Sequence, residues 1–64
     1  MEINLTADNL DAIRKGDIIE GAEDLGPVRA VRLAVNEPGC VRISGKSGWD
    51  LFGLPVTLTV RRSN

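Results

Sequence analysis

The chain has 64 residues, 42% of them hydrophobic and only 3% aromatic, with one cysteine and a net charge of −1. One small domain is all this length allows, and an intrachain disulfide is ruled out. Histidine and tyrosine are both absent, which removes the usual acid/base group near neutral pH and the commonest metal ligand. Glu2, Ile3, Asn4 and Leu5 alternate polar and apolar, the period-two pattern of a half-buried strand. Thr6 then caps a predicted helix over residues 7–15. Asp8 and Asp11 lie near its positive end, Arg14 and Lys15 near its negative end, and Gly16 supplies the left-handed stop. So short a helix is unstable alone, and this one requires Leu10 and Ile13 to dock on a sheet.

Asp17, Ile18, Ile19 and Glu20 read as a second strand, ended by an acidic loop over residues 21–27. Residues 28–35 form the third and longest, with Val31, Leu33 and Val35 on one face and Val28, Ala30, Arg32 and Ala34 on the other. Asn36, Glu37, Pro38 and Gly39 make a turn, and residues 41–44 return as a fourth strand. Residues 45–53 read as a glycine-rich connection around Trp49. Val56, Leu58 and Val60 alternate with Thr57, Thr59 and Arg61 in a fifth strand.

Loop length at Pro38 decides where the arginines point, because paired strands share a face only in the right register. A five-residue loop over residues 36–40 pairs Val35 with Val41. It unites Val31, Leu33, Val35, Val41 and Ile43 on one side, with Gly39 at positive φ. Arg32 and Arg42 then face solvent together, and Arg61 and Arg62 extend a basic face along the C-terminal strands. The expected fold is mainly β: a small five-stranded SH3-like barrel or curved antiparallel sheet with one short N-terminal helix, in a single domain over residues 1–64.

The stretch Ile13-Arg14-Lys15-Gly16-Asp17-Ile18-Ile19 resembles the Leu-x-x-Gly-Asp-x-Ile opening of many SH3-like barrels, and that of small uncharacterised proteins of bacteriophages and actinobacteria. Those proteins often continue, as here, with a long Val/Arg strand and a Pro-Val-x-x-x-Val-Arg-Arg ending. In this chain Gly16 frees the backbone to turn and Asp17 can cap the turn's amides. The resemblance implies a phage-type or accessory binding protein, and it transfers no site residues.

Catalytic readings fare poorly. Gly45-Lys46-Ser47 is like the end of a phosphate-binding loop, but Gly39 stands one position too early for that motif and no long helix follows, so a simple turn is the better reading. Cys40 has no histidine to activate it. A pairing of Ser44 with Lys46 or Ser47 is ordinary loop composition. Glu20, Glu23 and Asp24 match no calcium loop and read as a solvated acidic face. Neither an enzyme nor a bound cofactor or metal is expected.

The charge is divided by position. Residues 1–26 carry seven acids against Arg14 and Lys15, while residues 27–64 carry six bases against Glu37 and Asp50. A basic surface built from Arg32, Arg42, Lys46, Arg61 and Arg62 has two readings. It either meets phosphates or pairs with Asp8, Asp11, Glu20 and Glu23 within the fold or across a dimer. The acidic overall balance and the lack of aromatics among the bases favour pairing over nucleic acid. Trp49, with Phe52 three residues on, is either the plug of a small barrel or an exposed anchor, and the scarcity of other large side chains favours the plug. The functional expectation is a non-catalytic protein-binding module whose unknown partner meets Trp49 and Leu51, flanked by Arg42 and Arg61. The alternative is a nucleic-acid-binding barrel. A cytoplasmic location with no membrane partner is expected, and a homodimer would give so thin a core more apolar surface to bury.

Overall fold

The computed structural model describes residues 1–62. Six strands form two three-stranded antiparallel sheets. The first sheet has β6 (Val56–Arg61) at its centre, flanked by β1 (Glu2–Leu5) and the two-residue β2 (Ile18–Ile19). The second runs β3 (Ala30–Leu33), β4 (Cys40–Gly45), β5 (Gly48–Gly53), and the Leu54-Pro55 peptide that leads out of β5 is cis.

Alternation sets the inner faces. Ile3 and Leu5 of β1, Leu58 and Val60 of β6, Ile19 of β2 and Val41 and Ile43 of β4 are buried. The intervening segments add Ile13, Ala22, Leu25 and Val28, making one cluster shared by both sheets. At about 25 cal/mol per Å² of apolar surface, this aliphatic cluster is the main term stabilising so short a chain.

The helix expected over residues 7–15 is a single 3-10 turn, Leu10–Ala12. Local side-chain hydrogen bonds win over helix propagation here. The Asn9 carboxamide oxygen accepts from the Thr6 amide at 2.6 Å and from the Thr6 hydroxyl at 2.9 Å, while its Nδ2 donates to the Asn4 carbonyl. Ile13 is already extended, with φ −86° and ψ 123°. Docking survives without the helix: Ile13 is buried and Leu10 packs against the core.

No ladder closes the two sheets into a barrel among the described residues. The link between them is a backbone exchange in which Gly16 donates to the Val28 carbonyl and Val28 donates to the Asp17 carbonyl, each at 2.9 Å. Gly16 makes this turn at φ +97°, beyond easy reach of a residue with a Cβ. Because Val28 spends both backbone groups there, β3 starts only at Ala30, two residues later than its sequence pattern predicts.

The register of β3 with β4 pairs Leu33 with Val41 and Val31 with Ile43. The register is therefore two residues away from the expected Val35–Val41 pairing, residues 34–39 connect the strands, and Gly39 has φ +77°. The even shift keeps Arg32 and Arg42 on one face as anticipated and sets them directly opposite each other, but Leu33, expected in the interior row, is 50% exposed at the end of β3. It also moves Val35 out of the predicted interior row and into the loop, where it is 93% exposed.

The larger correction is at residues 45–53, which are a strand and not a connection. Lys46 and Ser47 form a two-residue turn between the paired Gly45 and Gly48, and β5 returns along β4. Gly45 is fixed by crowding, since a Cβ there would collide with the Leu25 carbonyl.

Candidate functional site

The outer face of the second sheet is built by register. Ala30, Ser44 and Trp49 stand in one row across β3, β4 and β5, and Arg32, Arg42 and Leu51 in the next. Trp49 thus sits diagonally from Arg42, within reach of a long side chain. The Arg42 guanidinium lies 4.3 Å from the centroid of the Trp49 ring. That stacking holds a cation over an aromatic face and leaves the guanidinium edge free to bind an acceptor.

Trp49 does not plug the interior. It is 50% exposed on the outer face, because its strand turns Trp49 and Leu51 away from the core and Phe52 towards it. Of the five exposed large hydrophobic side chains among the described residues, Leu33, Val35, Trp49 and Leu51 line a single open groove of about 620 Å³, and Met1 lies elsewhere. Arg32, Arg42 and Glu37 are its charged lining residues. Clustered apolar exposure rimmed by charge is the usual mark of a binding surface, whereas single exposed apolar residues are not.

The other expected basic residues are dispersed. Lys46 is exposed at the β4–β5 turn, and Arg61 is exposed on β6 of the other sheet, paired with Ile18. Arg62 leaves the basic face altogether. Its Nε donates to Asp17 Oδ1 at 2.9 Å, and its terminal Nη2 donates to Asp17 Oδ2 at 2.7 Å and to the Ala12 carbonyl at 2.9 Å. Arg62 therefore serves the structure, and its partner is Asp17, which is not among the acids expected for internal pairing. None of Asp8, Asp11, Glu20 and Glu23 forms an ion pair among the described residues.

Asp17 is the one buried charged residue among those described, and it also accepts from the Arg14 amide at 2.9 Å, the turn-capping role its position after Gly16 implies. The Arg62 hydrogen bonds hold its carboxyl below the ordinary value of 3.8, against the opposing effect of burial, and Asp17 in turn raises Arg62. Every oxygen of this carboxylate is engaged in holding the fold. Nothing reactive remains there.

Among the described residues no group of His, Cys, Asp and Glu is placed to hold a metal ion, and no helix is long and apolar enough to cross a membrane. Fold and groove together define a small two-sheet antiparallel β protein with an arginine-and-tryptophan surface. No family model matches the chain, and neither does any curated protein or solved structure.

Proposed function

We propose that this chain is a non-catalytic protein-binding module, an accessory protein that acts by occupying a partner's surface through the outer face of β3, β4 and β5. The observation that carries the reading is the Arg42 guanidinium stacked 4.3 Å from the half-exposed Trp49 ring inside a groove that gathers Leu33, Val35 and Leu51. Tryptophan and arginine are the residues most enriched where binding energy concentrates, and a stacked arginine loses little freedom on meeting a partner. The resemblance of residues 13–19 to the opening of SH3-like barrels, a group that mostly binds proteins or nucleic acids, agrees with a binding role. Arg61, on the other sheet, belongs outside this contact.

Arg32 and Arg42 side by side, with Trp49 available for stacking, favour one second reading, a nucleic-acid-binding surface. Salt separates the two, since phosphate contacts weaken steeply with ionic strength and an apolar anchor does not. The test is affinity capture on immobilised wild type beside Trp49→Ala, washed at low and high salt. Retained species are then titrated against the purified chain. A protein held at high salt and lost with Trp49→Ala supports the module. Nucleic acid held only at low salt, whether or not Trp49 is present, replaces it with the second reading.

A further inference from the structure

Among the described residues, nothing covers one edge of the second sheet. β5 is six residues long and pairs only with β4. Among the described residues, none of its backbone groups on the far side makes a hydrogen bond. The other edges are shorter, at four residues for β1 and β3 and two for β2. Soluble proteins commonly blunt edge strands with lysine, proline or bulges. β5, with sequence Gly-Trp-Asp-Leu-Phe-Gly, contains no lysine or proline, keeps an unbroken register with β4, and exposes five of its six residues.

Charge specifies the occupant. Arg32 and Arg42 stand directly opposite each other, a destabilising like-charge arrangement, and neither has a carboxylate partner among the described residues. By stacking on Trp49, Arg42 carries its guanidinium across to β5, about one strand spacing of 4.8 Å from any strand added at that edge. A carboxylate on such a strand meets it directly. β5's own charge, Asp50, lies on the opposite face from Trp49 and Leu51. Acids are therefore favoured only at alternate positions of the added strand, those that share a face with Trp49.

We infer that β5 is a strand-addition site for an extended, acidic peptide segment of a partner protein, its backbone pairing with Gly48–Gly53 and its alternate carboxylates reaching Arg42. The inference rests on the binding role of the Trp49 face and adds the mode of recognition and the partner's chemistry. A second copy of the chain fits less well. Antiparallel self-pairing of β5 that sets Trp49 against Leu51 also sets Asp50 against its own counterpart, and it brings no counter-charge to Arg32 or Arg42.

The experiment selects a random peptide library on the immobilised chain and, in parallel, on Trp49→Ala and Arg42→Gln, each checked for folding by amide spectra. The expected winners lack central prolines and carry Asp or Glu at alternate positions. The best synthetic peptide should slow hydrogen exchange at β5 amides and lose about tenfold in affinity, or 1.4 kcal/mol, on Arg42→Gln. It should lose at least as much when alternate backbone nitrogens on one edge are methylated, and little when the other set is. A peptide lost with Trp49→Ala that tolerates both methylation patterns overturns strand addition and leaves the Trp49 role standing. Identical selection on wild type and Trp49→Ala overturns both. Concentration-dependent dimerisation that protects β5 amides without peptide overturns the acidic segment in favour of a second copy.

Discussion

Arg62 and Asp17, 45 positions apart in sequence, are joined by two parallel hydrogen bonds, at 2.9 Å from Nε and 2.7 Å from Nη2. The carboxylate is 1% exposed and the guanidinium side chain 20%. Together they fasten the end of β6 to the turn that opens β2. With the Nη2 bond to the Ala12 carbonyl, the same arginine also holds the 3-10 segment. A bidentate pair with a buried carboxylate is geometrically demanding, and removing one partner leaves donors and acceptors stranded.

This pair makes stability depend on acid. Asp17's carboxyl is held below 3.8 in the folded chain, so its contribution is fully present above the unfolded value and is lost as pH falls through the lower, folded one. At neutral pH, Asp17→Asn should destabilise the fold by about 1–3 kcal/mol through unmatched hydrogen bonds. The gap between wild type and variant should narrow below about pH 4. Denaturant unfolding of both at a series of pH values measures it, and a gap that is constant down to the lowest pH would show that the carboxylate charge contributes nothing.

Gly45 offers a test of packing between the hairpin and the preceding loop. A methyl group at this position meets the carbonyl and Cβ of Leu25, and backbone yields less readily than the tip of a flexible side chain. Gly45→Ala should cost about 1–3 kcal/mol, as overpacking does. Gly53→Ala, on the same hairpin with nothing within 4 Å of the added group, should stay within about 0.5 kcal/mol of wild type. Equal thermal midpoints for the two variants would mean that Gly45 does not pack against Leu25.

Where the fold was legible, side-chain alternation made it so. β1 and β6 keep their predicted faces because one side of each strand is buried and the other wet, and Gly16 and Gly39 mark turns that need positive φ. β5 escaped the same logic because both its faces are largely exposed, so that no burial period exists to read. The two glycines flanking Lys46 and Ser47 were the available signal, and resemblance to a loop composition obscured it. The helix failed for a different reason: its caps are real sequence features, but Asn9 uses its side chain to satisfy Thr6 and Asn4 instead. Half of the candidate site, the opposed Arg32 and Arg42, followed from loop parity. Removal of Arg62 to Asp17 did not, because a contact across 45 residues leaves no trace in local periodicity.

Ile13 should matter as much as any core residue although no helix carries it. It is 4% exposed and belongs to the shared cluster, whereas Leu10 only packs against that cluster's margin. Ile13→Ala should cost about 2–4 kcal/mol, and Leu10→Ala clearly less. Chemical denaturation compares them directly. Equal losses would imply that both side chains are buried to the same depth, contrary to the 3-10 geometry.

Trp49 supplies the sharpest separation of core from surface. It is the only tryptophan, so its emission reports one environment. Half-exposed beneath a guanidinium, it should emit at long wavelength, be quenched readily by acrylamide, and change its emission on Arg42→Ala. Large aromatics in cores cost about 3–5 kcal/mol on truncation to alanine. An outer-face tryptophan lacks most of those contacts, so Trp49→Ala should cost about 1 kcal/mol, chiefly the lost stacking with Arg42. A loss of core size, with blue-shifted emission in the wild type, would return Trp49 to the interior and take the groove's anchor with it. A small loss accompanied by abolished partner binding is the expected pairing of results, because a residue that contributes little to folding can keep its apolar surface free for a partner.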